Sequence, residues 1–302
     1  MSEDGLRRAR VIAVGRNAAW TVAEDESEPR LAALRRSARD REMPVPGDVV
    51  RVRTIADDRV VVDAILPRSF ALVRRTAGGR RKTMAANVDT IAIVAALAQP
   101  TLNLALVDRL TAFAVQHGVA ALLLLTKADL AGEALAEAVA ALYHHLAVRT
   151  IVLHPKTGRG VDELRTEVAT RRSLLVGNSG VGKSSIFRAL GGVGVVGDLS
   201  RFGRGRQTTT SARLVRLGVG FLIDSPGIGE FALDPLAGPE LARLFVEMRD
   251  PARECRFADC RHLSEPDCGV RAAVARQAIA ESRYRSYREI LLEEAKEARS
   301  VL

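Results

Sequence analysis

The stretch Gly-Asn-Ser-Gly-Val-Gly-Lys-Ser at Gly177–Ser184 limits the possible folds of this chain more than any other. It matches G-x-x-x-x-G-K-S, a phosphate-binding loop (P-loop). An apolar run, Ser173–Val176, precedes it, and a helical pattern follows from Ser185. A strand, a glycine loop and a helix N-terminus place backbone N–H groups and the positive end of a helix dipole against an anion. The sequence therefore predicts a P-loop nucleotide site, and a chance glycine turn before a helix is the alternative.

Each position of this loop has an expected role. Glycines at 177, 180 and 182 let the backbone pass close to phosphate oxygens. Lys183, which we expect in a solvent-facing loop, reaches the β- and γ-phosphates, and the Ser184 hydroxyl holds Mg²⁺. The predicted phosphate-binding residues are Gly177, Asn178, Ser179, Gly180, Val181, Gly182, Lys183, Ser184 and Ser185.

A base-reading element precedes the P-loop. Thr126, Lys127, Ala128 and Asp129 follow an apolar run and match the Asn/Thr-Lys-x-Asp pattern of guanine-specific P-loop proteins. The Asp carboxylate accepts from guanine N1–H and the exocyclic amine together, which adenine cannot match, and the lysine stem covers the base. The alternative is an ordinary strand-to-helix turn, but ligands bind at this end of sheet strands. Further on, His154 is equally a turn residue or a base contact.

Two segments after the P-loop have the composition of switches. Gly191–Arg206 is rich in Gly and Arg and leads to Gln207 and three threonines. A mobile loop ending in Thr suits closure on Mg²⁺ and the γ-phosphate, and a flexible surface loop is the alternative. Asp224–Gly227 matches D-x-x-G, in which Asp orients a Mg²⁺-bound water and the Gly227 N–H binds the γ-phosphate. The predicted catalytic residues are Lys183, Ser184, Thr208, Thr209 and Asp224.

Residues 1–84 are basic, with 18 Lys/Arg against 12 Asp/Glu, in a chain of formal net charge +9. Four short β-branched runs predict an OB-like or SH3-like barrel, at Ala9–Val14, Ala18–Ala23, Asp48–Arg53 and Val60–Leu66. The charge favours nucleic acid over a membrane as partner. The alternatives are an Arg-rich composition from a GC-rich genome and a barrel that only packs on its neighbour. Arg74–Lys82 is interpreted as a mobile basic linker or a merely solvated run.

Between the barrel and the P-loop, apolar runs alternate with helical spacing. The predicted strands are Asp89–Leu97, Val119–Leu125 and Val148–Leu153, and helical spacing covers Leu104–His117 and Ala131–Leu146. This alternation predicts an α/β domain with a doubly wound, mainly parallel sheet.

All three cysteines fall near the C-terminal end, with a histidine among them. Cys255, Cys260, His262 and Cys268 have the spacing C-x4-C-x-H-x5-C, which predicts a Cys₃His site for one Zn²⁺ rather than a disulfide. Free buried cysteines are the alternative. The following helix is read equally as an RNA-facing surface or a solvated face, and its polar residues are Arg271, Arg276, Arg283, Arg285 and Arg288 with Tyr284 and Tyr287.

The order of the motifs is itself diagnostic. The base-reading element precedes the P-loop and D-x-x-G follows it, whereas ordinary GTPases have the base-reading element last. A closed α/β domain tolerates such a permutation. The chain resembles the RsgA (YjeQ/YloQ) family of circularly permuted GTPases of small-ribosomal-subunit biogenesis. The matching stretches are Pro46–Asp48, Leu66–Arg68, Ala86–Asp89, Thr126–Asp129, Gly177–Ser185, Gly203–Thr210 and Asp224–Ile228.

The resemblance implies three domains: an OB-like RNA-binding barrel over 1–84, a circularly permuted P-loop GTPase domain over 85–235, and a zinc-binding helical domain over 236–302. It implies slow hydrolysis of GTP to GDP and phosphate, stimulated by the small (30S) subunit during late maturation, with rRNA as partner. Two positions depart from the family pattern, since Thr126 replaces the usual Asn and Gln207 the usual His. The first leaves guanine reading by Asp129 intact.

Two other functions stay open at this stage. One is a zinc-containing RNA-binding module whose nucleotide is only a structural or switching ligand. The other is an unrelated P-loop ATPase, against which Asp129 argues. No run of about 18 apolar residues suggests a membrane span, and Met1–Gly5 does not have the composition of a signal peptide. We therefore expect a cytoplasmic monomer that does not bind membranes.

Overall fold

The computed structural model describes residues 6–15, 17–24, 26, 28–34, 43–55, 59–75, 81–191, 213–224 and 238–300. The chain divides into two compact units. The first combines Met1–Ala92 with His154–Glu230, and the second combines Ile93–Leu153 with Phe231–Leu302. The domain boundaries predicted at 84 and 235 stay a prediction.

The N-terminal strands close into a five-stranded barrel in the order β1-β2-β3-β5-β4. The strands are β1 (Leu6–Val14), β2 (Ala18–Ala23), β3 (Arg30–Leu34), β4 (Val49–Thr54) and β5 (Val60–Ile65). Neighbouring strands are antiparallel except β3 and β5, which are parallel. Val11, Val50 and Val62 are fully buried in the barrel core. The predicted barrel is confirmed, but β3 was not predicted because its sequence Arg-Leu-Ala-Ala-Leu contains no β-branched residue.

A two-stranded antiparallel sheet stands where the basic linker was expected. β6 (Ala71–Arg75) pairs with β7 (Arg81–Ala86), and Arg74 lies opposite Lys82. The prediction of a mobile linker is therefore wrong for the described ends of this run. Apolar side chains explain the difference, because Leu72 and Ala85 are buried beneath the pair and provide the core contact that a linker lacks.

The turn at 46–48 joins the barrel to this small sheet. Gly47 has φ +91°, and a Cβ there would lie 2.0 Å from the carbonyl oxygen of Ala86, so only glycine fits. Next to it, the fully buried Asp48 carboxylate accepts hydrogen bonds from Arg68 Nε and Nη2 at 2.7 and 2.8 Å. Three of the stretches that carry the family resemblance therefore meet at this turn.

The P-loop strand lies inside the sheet of the first unit. β11 (Arg172–Val176) pairs in parallel with β13 (Gly220–Asp224), and β12 (Arg213–Leu217) adds an antiparallel edge strand to β13. At the start of β11, the backbone N–H and Nε of Arg172 both donate to the Asp89 carboxylate at 2.9 Å. Helices α4 (Val161–Val168) and α5 (Lys183–Ala189) precede and follow this strand. The strand that leads into the P-loop is thus paired along β13 and tied to Asp89 at its start.

The second unit combines the remaining α/β elements with the C-terminal helices. β8 (Thr90–Ala96) begins in the first unit and ends in the second, where its neighbours in strand order are β9 (Ala120–Thr126) and then β10 (Arg149–Leu153). Strands β9 and β10 are parallel, and four leucines of β9, at 122–125, form its core. The other elements are α1 (Leu104–Gln116), β9 (Ala120–Thr126), α2 (Ala128–Ala131), α3 (Glu133–His144), β10 (Arg149–Leu153), α6 (Gly238–Leu244), a 3₁₀ turn (Val246–Met248), α7 (Arg249–Arg253), α8 (Gly269–Ala275) and α9 (Glu281–Ser300).

Helix α1 packs against both α9 and α6, so the C-terminal helices share a core with the α/β part of this unit. The alternation of strands and helices agrees with the predicted α/β class. Among the described residues, none of the helices combines the length and the apolar character needed to cross a bilayer.

Candidate nucleotide site and metal centre

The P-loop backbone has the conformation that its glycines predict. Gly177, Gly180 and Gly182 have φ values of 147°, 79° and 106°. Residues with a Cβ rarely adopt these angles, so the three glycines allow the loop to turn its backbone inward toward a ligand. Val181 is buried and anchors the loop, and Gly182 caps the N-terminus of α5. The arrangement is that of a phosphate-binding loop.

Lys183 differs from the expectation that it lies in a solvent-facing loop. It is the first residue of α5 and only 8% exposed. Its Nζ donates to the carbonyl oxygens of Gly177 and Asn178 at 2.7 and 2.8 Å. Burial lowers the pKa of the Lys183 ammonium, while the charge of Asp224 acts in the opposite direction. The expectation was wrong because the loop folds over the lysine stem and encloses it.

Asp224 ends β13 and lies opposite Leu175 of the P-loop strand. Its carboxylate is half-buried and interacts electrostatically with Lys183. Ser184 is exposed in the first turn of α5. These oxygens are hard donors of the kind that Mg²⁺ prefers, so the chemistry of the described site fits this ion. Five of the remaining residues named from the sequence lie outside the described residues, namely Thr208, Thr209, Gly227, Gln207 and Ile228.

The predicted base-reading residues lie at the end of β9 and the start of α2. The Asp129 side chain is exposed, and Ala128 is buried beneath it. Lys127 has a left-handed backbone with φ 60°, and its Nζ donates to the carbonyl oxygen of Gln99. The buried Thr126 places Oγ1 3.5 Å from the Ala95 carbonyl oxygen. The loop is therefore tied to the neighbouring strand while its carboxylate faces solvent.

His154 belongs to a compact turn. Its Nδ1 lies 2.8 Å from Thr157 Oγ1, and its backbone N–H donates to the Arg159 carbonyl oxygen. These contacts favour the turn interpretation of this residue over the base-contact one.

The four predicted zinc ligands come together. The ligand atoms of Cys255, Cys260, His262 and Cys268 all lie within 4.8 Å of one another. His262 Nδ1 is 3.5 Å from the Cys255 sulfur and 3.4 Å from the Cys268 sulfur, and these two sulfurs are 3.9 Å apart. In a tetrahedral zinc site, bond lengths of about 2.0–2.3 Å place ligand atoms about 3.5–3.8 Å apart. The cluster therefore fits zinc, and His262 offers Nδ1.

The backbone around these ligands is fixed by a carboxylate. Glu265 accepts from the backbone N–H groups of Arg261, Leu263 and Ser264 at 3.0, 2.8 and 3.1 Å. Burial alone raises the pKa of the Glu265 carboxyl, but the backbone hydrogen bonds outweigh it and lower the pKa. Burial also raises the pKa of the Cys260 thiol to about 12. We call the segment Cys255–Cys268 the zinc knuckle.

Two tyrosines of α9 hydrogen-bond to the backbone of the zinc knuckle. Tyr284 donates its hydroxyl hydrogen to the His262 carbonyl oxygen at 2.6 Å, and Tyr287 does the same to the Arg261 carbonyl oxygen at 2.9 Å. Both tyrosines are buried. The prediction that α9 presents them on an RNA-facing or solvated face is therefore wrong.

Arg283 was misplaced by the same prediction. Its side chain is 3% exposed and donates to Asp108 and Glu247, whereas Arg271, Arg276, Arg285 and Arg288 are exposed. A signal was present in the sequence, because Arg283 shares helical spacing with the buried residues Tyr284, Tyr287, Ile290 and Leu291. The surface position was expected from the charge of Arg283 alone.

The fold and site define a class of protein. It is a P-loop nucleotide-binding protein in which the candidate base-reading element precedes the phosphate loop along the chain. The family model described as RsgA GTPase matches residues 65–234. The chain belongs to this family, whose members are hydrolases acting on GTP.

Individual proteins agree with this assignment. A Pseudomonas aeruginosa protein named small ribosomal subunit biogenesis GTPase RsgA is 43% identical over 254 residues, covering 82% of this chain and 75% of the relative. YjeQ from Thermotoga maritima is similar in structure, with a TM-score of 0.75, 28% identity, and coverage of 96% of this chain and 99% of that one. YloQ, titled a circularly permuted GTPase, gives a TM-score of 0.74 at 22% identity and 98% coverage of both chains, which supports the fold. The predicted family and fold class are confirmed.

Proposed function

We propose that this chain hydrolyses GTP slowly on its own, acts on the small ribosomal subunit during its late maturation, and is stimulated by that subunit. The observation that carries the catalytic part is the P-loop, with three left-handed glycines around a buried Lys183, in a chain of the RsgA GTPase family. The name of the Pseudomonas aeruginosa relative supports the subunit as partner. Since ribosomal subunits are found in the cytoplasm, a cytoplasmic location is part of this proposal.

The phosphate side of the proposed mechanism depends on Lys183 and the loop amides. Lys183 Nζ exchanges its two carbonyl partners for β- and γ-phosphate oxygens, and the loop N–H groups stabilise charge on the phosphates. Mg²⁺ neutralises charge on the β- and γ-phosphate oxygens when bound. Ser184, with Thr208 or Thr209, would hold this ion, and Asp224 would orient one of its waters. The Gly227 N–H would bind the γ-phosphate.

Guanine selectivity is assigned to the loop at the end of β9. The exposed Asp129 carboxylate accepts from two guanine donors at once, and the Lys127 stem covers the base. Thr126 is buried and hydrogen-bonds to the neighbouring strand, so its proposed role is to stabilise the loop rather than to contact the base. Asp129 is then the residue that decides between guanine and adenine.

RNA contact is assigned to the basic barrel and zinc binding to the knuckle. The excess of Lys/Arg over Asp/Glu in residues 1–84 supports phosphate contact. Zinc at Cys255, Cys260, His262 and Cys268 closes a segment too short to form its own apolar core. In this proposal, GTP hydrolysis is therefore assigned to the nucleotide domain.

Nucleotide competition and subunit binding test the proposed function. GTP should displace a labelled guanine nucleotide and ATP should not, and Asp129→Asn should shift the preference toward xanthine nucleotides. Cosedimentation should show binding to the small subunit in the GTP-analogue state. Equal competition by ATP and GTP contradicts guanine reading. Binding to the large subunit alone contradicts the proposed partner, and binding without turnover favours a nucleotide-switched RNA-binding module.

A further inference from the structure

A buried polar network in the second unit is left unexplained by the proposed chemistry. Arg283 of α9 donates to Asp108 Oδ1 of α1 through Nη1 at 2.7 Å, and to Glu247 through Nε at 2.7 Å. Tyr143, which is fully buried, donates its hydroxyl hydrogen to the same Asp108 oxygen at 2.5 Å. The Arg283 guanidinium also lies 4.7 Å from the centre of the Phe245 ring. One buried cation therefore binds elements that are far apart in sequence.

Because this network is buried, its charged groups cannot separate without a large cost in free energy. Asp108 and Arg283 are 1% and 3% exposed, and Glu247 is 12% exposed. Burial alone lowers the pKa of Arg283, but Asp108 and Glu247 outweigh it and raise the pKa. Removing one partner of a buried ion pair leaves an uncompensated charge. Helices α1 and α9 cannot move apart without incurring that cost.

Two of the elements in the network flank the base-reading loop. Asp108 lies on α1, which packs against β9, the strand that ends in Thr126. Tyr143 lies near the end of α3, whose N-cap, Gly132, is also the C-cap of α2, where Asp129 sits. The backbone that leads into α1 contacts the loop directly, because Gln99 accepts from Lys127 Nζ. The network thus connects the helix that packs on the strand before the loop with the helix that follows the loop.

The same helix α9 also holds the zinc knuckle. Tyr284 follows Arg283 directly and binds the His262 carbonyl oxygen, and Tyr287, which binds the Arg261 carbonyl oxygen, lies one turn further on. Phe245 connects the two ends, since its ring contacts Arg283 and packs edge-on against Tyr287 at 5.6 Å. A continuous set of contacts therefore runs from the knuckle to Asp108.

We infer that Arg283, together with Asp108 and Tyr143, positions the guanine-reading loop and ties its geometry to the zinc knuckle. The inference rests on the proposed guanine reading by Asp129. Arg283 acts through α1 and α3 and touches no nucleotide. Zinc at the knuckle holds α9 in place, α9 holds Arg283, and Arg283 holds the helices on either side of the loop.

Two ligands separate positioning of the loop from general stability. GDP uses the P-loop and the base-reading loop, whereas inorganic tripolyphosphate uses the P-loop alone. In Tyr143→Phe and in Arg283→Met, the Kd of GDP should rise about five- to tenfold, typical of coupling between sites, while that of tripolyphosphate stays unchanged. Arg285→Ala, which removes an exposed cation from the same helix, should change neither constant. Tyr143→Phe removes one hydroxyl only, so it provides the test if Arg283→Met does not fold.

Zinc retention provides an independent measurement on the same proteins. Coupling is reciprocal, so saturating GDP should lower the Kd of zinc for the wild-type protein, measured by equilibrium competition with a coloured chelator, and this effect should shrink in Tyr143→Phe. An unchanged GDP Kd in both variants, or an equal loss of tripolyphosphate binding, overturns the inference. A zinc Kd that does not change with GDP overturns the tie to the knuckle. Wild-type protein that binds ADP as tightly as GDP refutes guanine reading itself, whatever the variants show.

Discussion

Lys183 shows how a side chain with a proposed catalytic role can also be part of the core of its loop. Its ammonium donates to two carbonyl oxygens of the loop, one of them in a buried hydrogen bond. We expect Lys183→Ala to abolish GTP turnover and to lower the free energy of unfolding by about 1 kcal/mol, the usual net value of such hydrogen bonds.

Phosphate release and thermal unfolding measure the two effects separately. Arg188→Ala, at an exposed cation on the same helix, should retain turnover and serves as the control. Wild-type turnover in Lys183→Ala would contradict the assignment of this site.

Glu265 has an equally local role in the zinc knuckle. One carboxylate accepts from three backbone N–H groups within four residues of itself. Glu265→Ala leaves these donors without their acceptor, so zinc should transfer to a chelator about 10–100-fold faster, as for other groups that orient metal ligands. Glu254→Ala, at an exposed glutamate beside Cys255, is the matched control. Equal rates in the two variants would show that the knuckle does not depend on Glu265.

For single residues, the sequence predicts the chemical role of a side chain better than it predicts whether that side chain is buried. The P-loop lysine and the proposed zinc ligands are recognisable because phosphate and zinc binding each favour particular residue types at particular spacings. The burial of Lys183 and Arg283 was not predicted, because a charged residue is expected at the surface unless its partners are known. Asp108 and Glu247, the partners of Arg283, are 175 and 36 residues away in sequence.

Among the elements, the turn at 46–48 gives the sharpest steric prediction. Gly47→Ala should lower the free energy of unfolding by at least about 2 kcal/mol, because left-handed strain is combined with a clash against the Ala86 carbonyl. Gly118→Ala isolates the strain, since Gly118 has φ +64° and no heavy atom within 4 Å of the added Cβ. It should cost about 1 kcal/mol. Urea denaturation of both variants measures the difference, and equal losses would show that the clash is relieved without cost.

For the zinc knuckle we predict the zinc content of the protein and the pH dependence of its zinc affinity. Protein purified without chelator should contain about one zinc per chain. The raised pKa values of the Cys260 and Cys268 thiols keep these sulfurs protonated near pH 7, so zinc binding must release protons. The apparent zinc affinity should therefore rise as the pH is raised from about 6 to 8. Metal analysis and a chelator titration at each pH measure this. A fully folded zinc-free protein would contradict it.

Elements were predictable where side-chain pattern alone defines them. The strands before Thr126 and the P-loop are continuous apolar runs, and the structure has them within a few residues of the predicted bounds. The pair β6–β7 was missed because charged residues hide the few apolar contacts that hold it. Strand β3 was missed because its alanines favour no strand, so its pairing with β2 and β5 determines its conformation.

For the whole molecule, charge sets the conditions under which partners are recognised. The formal net charge of +9 and a pI near 10.1 favour a polyanionic partner. If barrel arginines contact rRNA phosphates, each contact adds to the salt dependence of binding. Subunit binding measured at several salt concentrations should therefore weaken steeply with ionic strength. Guanine nucleotide binding should respond much less, because its base contact depends on hydrogen-bond matching at Asp129.

The hydrolysis rate of the free protein should be slow, and the small ribosomal subunit should raise it many-fold. The residue after the D-x-x-G glycine is Ile228, where a classical GTPase has a glutamine that orients the attacking water. An apolar side chain cannot hydrogen-bond that water, so another group must position it. The chain runs from Asp224–Gly227 directly into the C-terminal helices and the zinc knuckle, so docking of that part on a subunit can act on this switch.

Completion of a GTPase site by a partner raises the rate by about 10³–10⁵ in arginine-finger systems, so even a partial effect is measurable. Steady-state phosphate release with purified small or large subunits is the test, with Lys183→Ala reporting any contaminating activity. Stimulation by the small subunit should also fall after zinc is removed, because α9 and the knuckle would lose their fixed geometry. A free-protein rate equal to the stimulated one, or stimulation by the large subunit alone, would refute partner-completed hydrolysis, and unchanged stimulation without zinc would place the activating contact elsewhere in the chain.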